Sequence, residues 1–257
     1  KTVLVPCEGT LGDVIQFARY LPMIKEQGAN VVVEAPAALA DLLATVSGVD
    51  KVVLQGADLP KFDLHAPLLS LPLIFKTTAA KVPAETPYIA PPDPGAYRLP
   101  PGGDFLKIGI AWDDERPPVH LSPTPGLRPF LDLAGLAGVT LFGLQTGPAA
   151  ADLKAQGSDA LIIDLARRAN GMAGLAAYID QMDIVIAVDG AVAHLAGALG
   201  KETWLIAPTS PDWRWGTSGE TTPWYPRMRI LRADRRGDWQ GLLDQTRRSL
   251  RARVRGG

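Results

Sequence analysis

The chain predicts an α/β fold built from two units, and two observations carry that reading. Apolar strand-like runs alternate with amphipathic helical stretches along nearly the whole sequence, and the alternation breaks once, over a proline- and glycine-rich span at 82–104. Strands alternating with helices at this tempo require parallel sheets with crossover connections. Crowded prolines continue neither a helix nor a central strand, so the span reads as a linker. The expected division is 1–100 and 101–257, with a cleft between the facing strand ends of the two units.

Thr2–Pro6 opens the chain as a buried strand and runs into the glycine turn Glu8-Gly-Thr-Leu-Gly12. A helix should follow, capped by Asp13, with Val14, Phe17, Ala18, Leu21 and Ile24 on its apolar face and Gly28 at its end. Strands are expected at 31–34, 51–54 and 62–65, with a helix over 37–46. Beyond the linker, strands are expected at 106–112, 140–144, 161–163, 184–188 and 203–206. Helices are expected near 130–136, 149–155, 172–181 and 191–199, and a last one from about Trp239 into the arginine-rich end.

Bulk properties narrow the function classes. Apolar residues make up 47% of the 257 and the formal net charge is −1, so nothing favours nucleic acid as a partner. The five arginines between Arg247 and Arg255 read as the solvated face of a helix. A single cysteine, Cys7, excludes an internal disulfide framework and fits a reducing cytoplasm. No apolar run is long enough to span a membrane, and no signal-peptide pattern is present. The chain starts at Lys1 and enters a strand at once, which leaves room for an upstream domain.

Three stretches carry candidate chemistry. In Val185-Ile-Ala-Val-Asp189-Gly-Ala-Val-Ala-His194 a strand ends in an acid, turns at Gly190 and opens a helix bearing a histidine. A helix N-terminus at the carboxyl edge of a parallel sheet suits phosphate. His194 either donates to a ligand oxygen or is a satisfied core group. The second stretch is Gly9-Thr10-Leu-Gly12-Asp13, where glycines let the backbone approach a ligand and Asp13 either takes a proton from a hydroxyl or only caps its helix. No Gly-Lys-Ser or Gly-Lys-Thr follows, so the turn is not a P-loop. The third is the loop with Asp212-Trp213-Arg214-Trp215 and Pro223-Trp-Tyr-Pro226, whose aromatics either stack on a base or sugar or pin the loop. Gln145 closes a further strand and can reach a ligand. Asp113-Asp114-Glu115 lacks histidine partners and reads as solvated, so no metal is expected.

With these motifs in place, the chain resembles bacterial glycosyltransferases related to the heptosyltransferases (glycosyltransferase family nine). The likeness is closest to the glycosyltransferase domain that follows tetratricopeptide repeats in many bacterial proteins. The matching stretches are 9–22, 62–72, 108–112, 144–148, 188–201, 211–215 and 223–226. The resemblance implies a GT-B architecture, two Rossmann-like domains facing across a cleft, and transfer of a sugar from a nucleotide sugar to a hydroxyl on a glycan, lipid-linked sugar or protein. It implies no cofactor and no metal. It makes Asp13 the candidate base. The candidate donor-binding set is Gly9, Thr10, Gly12, Trp112, Gln145, Asp189, Gly190, Ala191, His194, Asp212, Trp213 and Arg214. The chain departs from the pattern at Gly190, where relatives commonly carry threonine, at Asn170–Gly174, and at Asp113–Pro118, where a basic loop is expected. Two other classes remain alternatives: a decayed module acting as a binding or scaffolding domain beside repeats, and a sugar-nucleotide epimerase.

Overall fold

A computed structural model describes residues 1–100, 105–114 and 124–255. Among them, strands β1 (Thr2–Pro6), β2 (Asn30–Ala35), β3 (Lys51–Leu54) and β4 (Leu64–His65) form one parallel sheet in the order β3-β2-β1-β4. Strands β5 (Leu106–Ala111), β6 (Val139–Gly143), β7 (Ile162–Asp164), β8 (Ile184–Val188), β9 (Thr203–Ala207) and β10 (Met228–Arg232) form a second, in the order β10-β9-β8-β5-β6-β7. Every pairing is parallel; Thr2 lies opposite Asn30 and Ile108 opposite Ile184. The helices are α1 (Leu11–Phe17), α2 (Leu21–Glu26), α3 (Ala40–Leu43), α4 (Leu71–Ile74), α5 (Asp152–Ala155), α6 (Gly171–Asp180), α7 (Ala191–Ala198) and α8 (Trp239–Arg255).

Strand order reverses between β1 and β4 in the first sheet and between β5 and β8 in the second. In open α/β sheets the crevice for a ligand opens outside the carboxyl ends of strands at such a reversal. Here β1 runs out into the Gly9 turn and α1, and β8 runs out through Asp189 and Gly190 into α7. Two of the three stretches that carry candidate chemistry, at Gly9–Asp13 and Asp189–His194, therefore stand at the two switch points.

Period-2 alternation sorts the core. Val3 and Val5 face a large apolar cluster, while Leu4 packs with Val32 and Val53 on the opposite face. The large cluster runs from the first sheet through Ile15, Ile179 and Leu195 to Val185 and Ala187 of the second, so both sheets share one core across α1, α6 and α7. On the far face of the second sheet, Ile184, Ile186 and Val188 pack with Phe130, Leu242 and Leu250.

Local structure departs from the sequence reading at several points. Thr10, not Asp13, is the N-cap of α1. The helix expected to run on to Gly28 breaks into α1, a 3₁₀ turn at Ala18–Tyr20 and α2. The strand expected from Phe62 shortens to β4, and the 130–136 helix is a 3₁₀ segment over Arg128–Leu133. β10 was not anticipated, because an edge strand flanked by Pro226 and carrying Arg229 and Arg232 lacks the apolar run of its inner neighbours. No helix among the described residues is long and apolar enough to cross a membrane. Glu115, the last residue of the acidic triplet, lies outside the described residues.

Candidate functional site

Where the switch points meet, a cavity of about 310 Å³ is lined by Gly9, Thr10, Leu11, Gly12 and Asp13 from one sheet's turn and Asp114, Asp189, Gly190, Ala191, His194 and Arg214 from the other side. α1 and α7 approach closely enough that a Cβ on Gly12 would lie 2.8 Å from His194 Cδ2. Only glycine at 12 permits that contact, so one glycine sets the distance between the two turns.

The two helix ends differ in what they offer. α1 is closed by a capping box: Asp13 N–H donates to Thr10 Oγ1 at 3.2 Å, while Asp13 Oδ2 accepts from Thr10 N–H at 2.7 Å and from its hydroxyl at 2.8 Å. α7 has no side-chain cap at Gly190. Its first N–H groups lack intrahelical partners and carry the positive end of the helix dipole. An anion in this cavity therefore belongs against α7 rather than α1.

Backbone geometry separates the two glycines at these turns. Gly9 has φ +84°, and a Cβ there would stand 2.6 Å from Asp13 Oδ2, so no other residue fits. Gly190 is fully extended, with φ 174°, and a Cβ there would meet nothing nearer than 4.0 Å. The turn expected at Gly190 does not need glycine; it leaves open space facing Asp113 and Asp114.

His194 is 3% exposed; its Nδ1 is held 2.8 Å from the Tyr225 hydroxyl, and its Nε2 faces Asp189 Oδ1 at 3.7 Å. Burial pushes the Tyr225 phenol well above its ordinary range, so it stays protonated and can donate to Nδ1. With Tyr225 as the donor, the ring proton is on Nε2, toward Asp189 and the cavity. Burial likewise holds the imidazole below its ordinary value, against the opposing pull of Asp189, so the ring is neutral at neutral pH.

Arg214, on the 3₁₀ turn Trp213–Trp215, bridges the halves. Its Nη2 pairs with Asp13 Oδ1, its Nη1 reaches Asp212 Oδ1 at 2.8 Å, and its Nε donates to Gln16 Oε1 at 2.5 Å. A guanidinium carries five N–H donors, so two remain for a ligand. On Asp13 these bonds use three acceptor positions of about four, leaving room for one incoming hydroxyl.

Four of the expected contacts lie elsewhere. Trp112 is fully buried, its indole N–H 3.2 Å from Asp152, and belongs to the core behind the second sheet. Gln145 is 3% exposed, and its Oε1 holds the backbone N–H groups of Trp112 and Asp113 at 2.8 Å. Its other neighbourhood is a separate, larger concavity of about 1060 Å³ outside the ends of β6 and β7. Asp212 acts through Arg214, and Trp213 projects into a groove beyond it. Conversely, the motifs do not single out Gln16, a lone polar residue on an apolar helix face, and they name Tyr225 only among the loop aromatics, not as the partner of His194. Among the described residues no cluster of three or more His, Cys, Asp or Glu could hold a metal ion.

No family model matches the chain. Among curated proteins it is similar to Protein FlbA of Caulobacter vibrioides, with 24% identity over 285 residues covering 98% of this chain and 46% of FlbA. The chain thus spans about half the length of that relative. Among solved structures it is similar to E. coli ADP-heptose lps heptosyltransferase II, with a TM-score of 0.72 at 13% identity over 99% of this chain and 98% of the other. It is also similar to the glycosyl transferase family 9 structure from Veillonella parvula DSM 2008, with a TM-score of 0.70 at 11% identity over 100% and 98% of the two chains. The chain shares the α/β, Rossmann-like GT-B fold of these glycosyltransferases.

Proposed function

We propose that the protein is a glycosyltransferase that moves a sugar from a nucleotide-sugar donor to a hydroxyl acceptor. The observation that carries this reading is the cavity formed where both switch points meet, with an uncapped helix terminus on one wall and a carboxylate on the other. The donor diphosphate sits against the first N–H groups of α7, with Ala191 and the Nε2–H of His194 beside it. The nucleoside is assigned to the concavity of about 1060 Å³ near Gln145. The acceptor oxygen approaches Asp13 and forms a bond to the anomeric carbon as the bond from that carbon to the phosphate oxygen breaks. The electron pair leaves with the nucleoside diphosphate, and the acceptor proton passes to Asp13. Helix N–H groups and Arg214 meet the leaving charge, and no metal is assigned to the step.

Similarity to a heptosyltransferase named for ADP-heptose makes an ADP-linked sugar the first donor to try. The acidic lining, with Asp13, Asp114 and Asp189, favours the second reading, in which the shell persists as a binding module. A panel of nucleotide sugars, assayed for nucleoside diphosphate release and by calorimetry, separates the two. The transferase reading expects one nucleotide to bind in the micromolar range and turnover to survive chelation with EDTA. It also expects Asp13→Asn to lose most turnover while keeping nucleotide affinity. Silence across the panel favours the binding module, and full turnover by Asp13→Asn removes that carboxylate from the mechanism.

A further inference from the structure

Asp13, Gln16 and Arg19 recur at intervals of three along α1 and the 3₁₀ turn that continues it, and all three reach one loop of the second unit. Asp13 and Gln16 hold Arg214 near the start of that loop, and Arg19 holds Trp224 and Tyr225 near its end. The loop's two ends are thus gripped by one stretch of the first unit.

Gln16 is fully buried. Its Oε1 accepts from Arg214 Nε at 2.5 Å, while its own Nε2 has no partner among the described residues. A buried amide left half-satisfied costs stability, and an apolar side chain of the same size would avoid that cost. What the amide does is fix the Arg214 fork: with Nε held, Nη2 points at Asp13 and Nη1 at Asp212. Being neutral, it does so without adding to the two carboxylates that already face the cation.

Arg19 is 4% exposed, and its partners among the described residues are all uncharged. Nε donates to the Gln16 carbonyl at 2.8 Å, Nη1 to the carbonyls of Trp224 at 2.6 Å and Pro83 at 3.1 Å, and Nη2 to the Tyr88 hydroxyl at 3.1 Å. The guanidinium also lies 4.7 Å from the Tyr225 ring centre. A cation buried without a carboxylate is costly, and well-packed hydrocarbon would fill the space at less cost. Here it anchors the backbone at Trp224 and the ring of Tyr225, whose hydroxyl stands 2.8 Å from His194 Nδ1.

We infer that Gln16 and Arg19 are positioning residues of the donor site, through which the first unit aims two ligand-facing groups of the second. Gln16 sets the Arg214 fork, and Arg19, through Tyr225, sets the His194 ring. The role toward a donor rests on the transferase reading; the aiming itself is measurable without any ligand.

Two measurements on the full chain test it. The chain has three histidines, so the ring nitrogens of His194 are assignable in a long-range proton–nitrogen spectrum by comparison with His194→Gln. The wild type should show one tautomer, protonated on Nε2. Arg19→Lys keeps the charge but offers a single nitrogen to partners lying in several directions, and should show a mixture of tautomers. A single Nε2–H tautomer in Arg19→Lys overturns its part of the inference. Should that variant not fold, Tyr225→Phe removes only the hydroxyl, and a single Nε2–H tautomer there breaks the link from Arg19 to His194. The second measurement is calorimetry with ADP, GDP, UDP and CDP beside a thermal denaturation scan. Gln16→Met fills the same space without the orphaned amide, so it should keep or raise the denaturation midpoint yet weaken nucleotide binding roughly tenfold. Unaltered affinity, or affinity lost only together with the midpoint, overturns the aiming of Arg214 alone. Silence of the wild type toward all four nucleotides overturns the transferase reading and the donor role together.

Discussion

His194 is neutral because it is buried, and the proposed donor role rests on that. Desolvation dominates its environment and lowers its affinity for a proton, so the folded protein keeps the ring uncharged where an unfolded chain would protonate it. The sign follows: this contribution is fully present above about pH 6.5, the ordinary imidazole value, and is lost as pH falls below it. Urea titrations at about pH 7.5 and about pH 5.5 should show a loss of up to roughly 1.4 kcal/mol per pH unit, smaller or absent in His194→Gln. A variant that loses stability just as steeply would show that the imidazole is not the group responsible. Asp13 is likewise more than the cap or base envisaged from the motif. It is the N3 member of a capping box and the partner of a cation 201 positions away. A helix cap is worth about 1 kcal/mol, so Asp13→Asn, which keeps an acceptor oxygen, is a cleaner probe of chemistry than Asp13→Ala.

α1 and α7 form the element pair on which the site depends. Both follow a strand without delay, both begin at a switch point, and they touch where Gly12 faces His194. Gly12→Val would insert three carbons where a single Cβ would already lie 2.8 Å from the imidazole. Overpacking of this kind costs roughly 1–3 kcal/mol. The expected result is a lower denaturation midpoint together with weakened nucleotide binding; a variant with wild-type midpoint and affinity would show that the helices do not set the width of the cleft. This pair was legible in the sequence because its signals are local: an apolar run, glycine, a capping residue and helical spacing. Arg214 meeting Asp13 was not legible, since nothing in either segment encodes a contact between residues so far apart. Trp112 misled for a related reason. A tryptophan at a strand end looks poised for a ligand, but the second sheet has a far face to fill, and the indole fills it.

At the scale of the whole molecule, two parallel sheets share one apolar core yet leave a cavity where their switch points meet. The alternation of strands and helices reveals the sheets, and the proline-rich span marks where one gives way to the other. What the alternation does not reveal is how closely they pack, because that depends on small residues such as Gly12 and on the Arg214 bridge. The proposed chemistry needs both halves: α7 for the diphosphate and the Asp13 turn for the acceptor hydroxyl. The most direct measurement is a crystal structure of the protein with a non-hydrolysable nucleotide sugar. The diphosphate should lie against the first N–H groups of α7 at Gly190 and Ala191, with the anomeric carbon facing Asp13. A diphosphate bound away from α7, or a sugar turned from Asp13, would contradict the account.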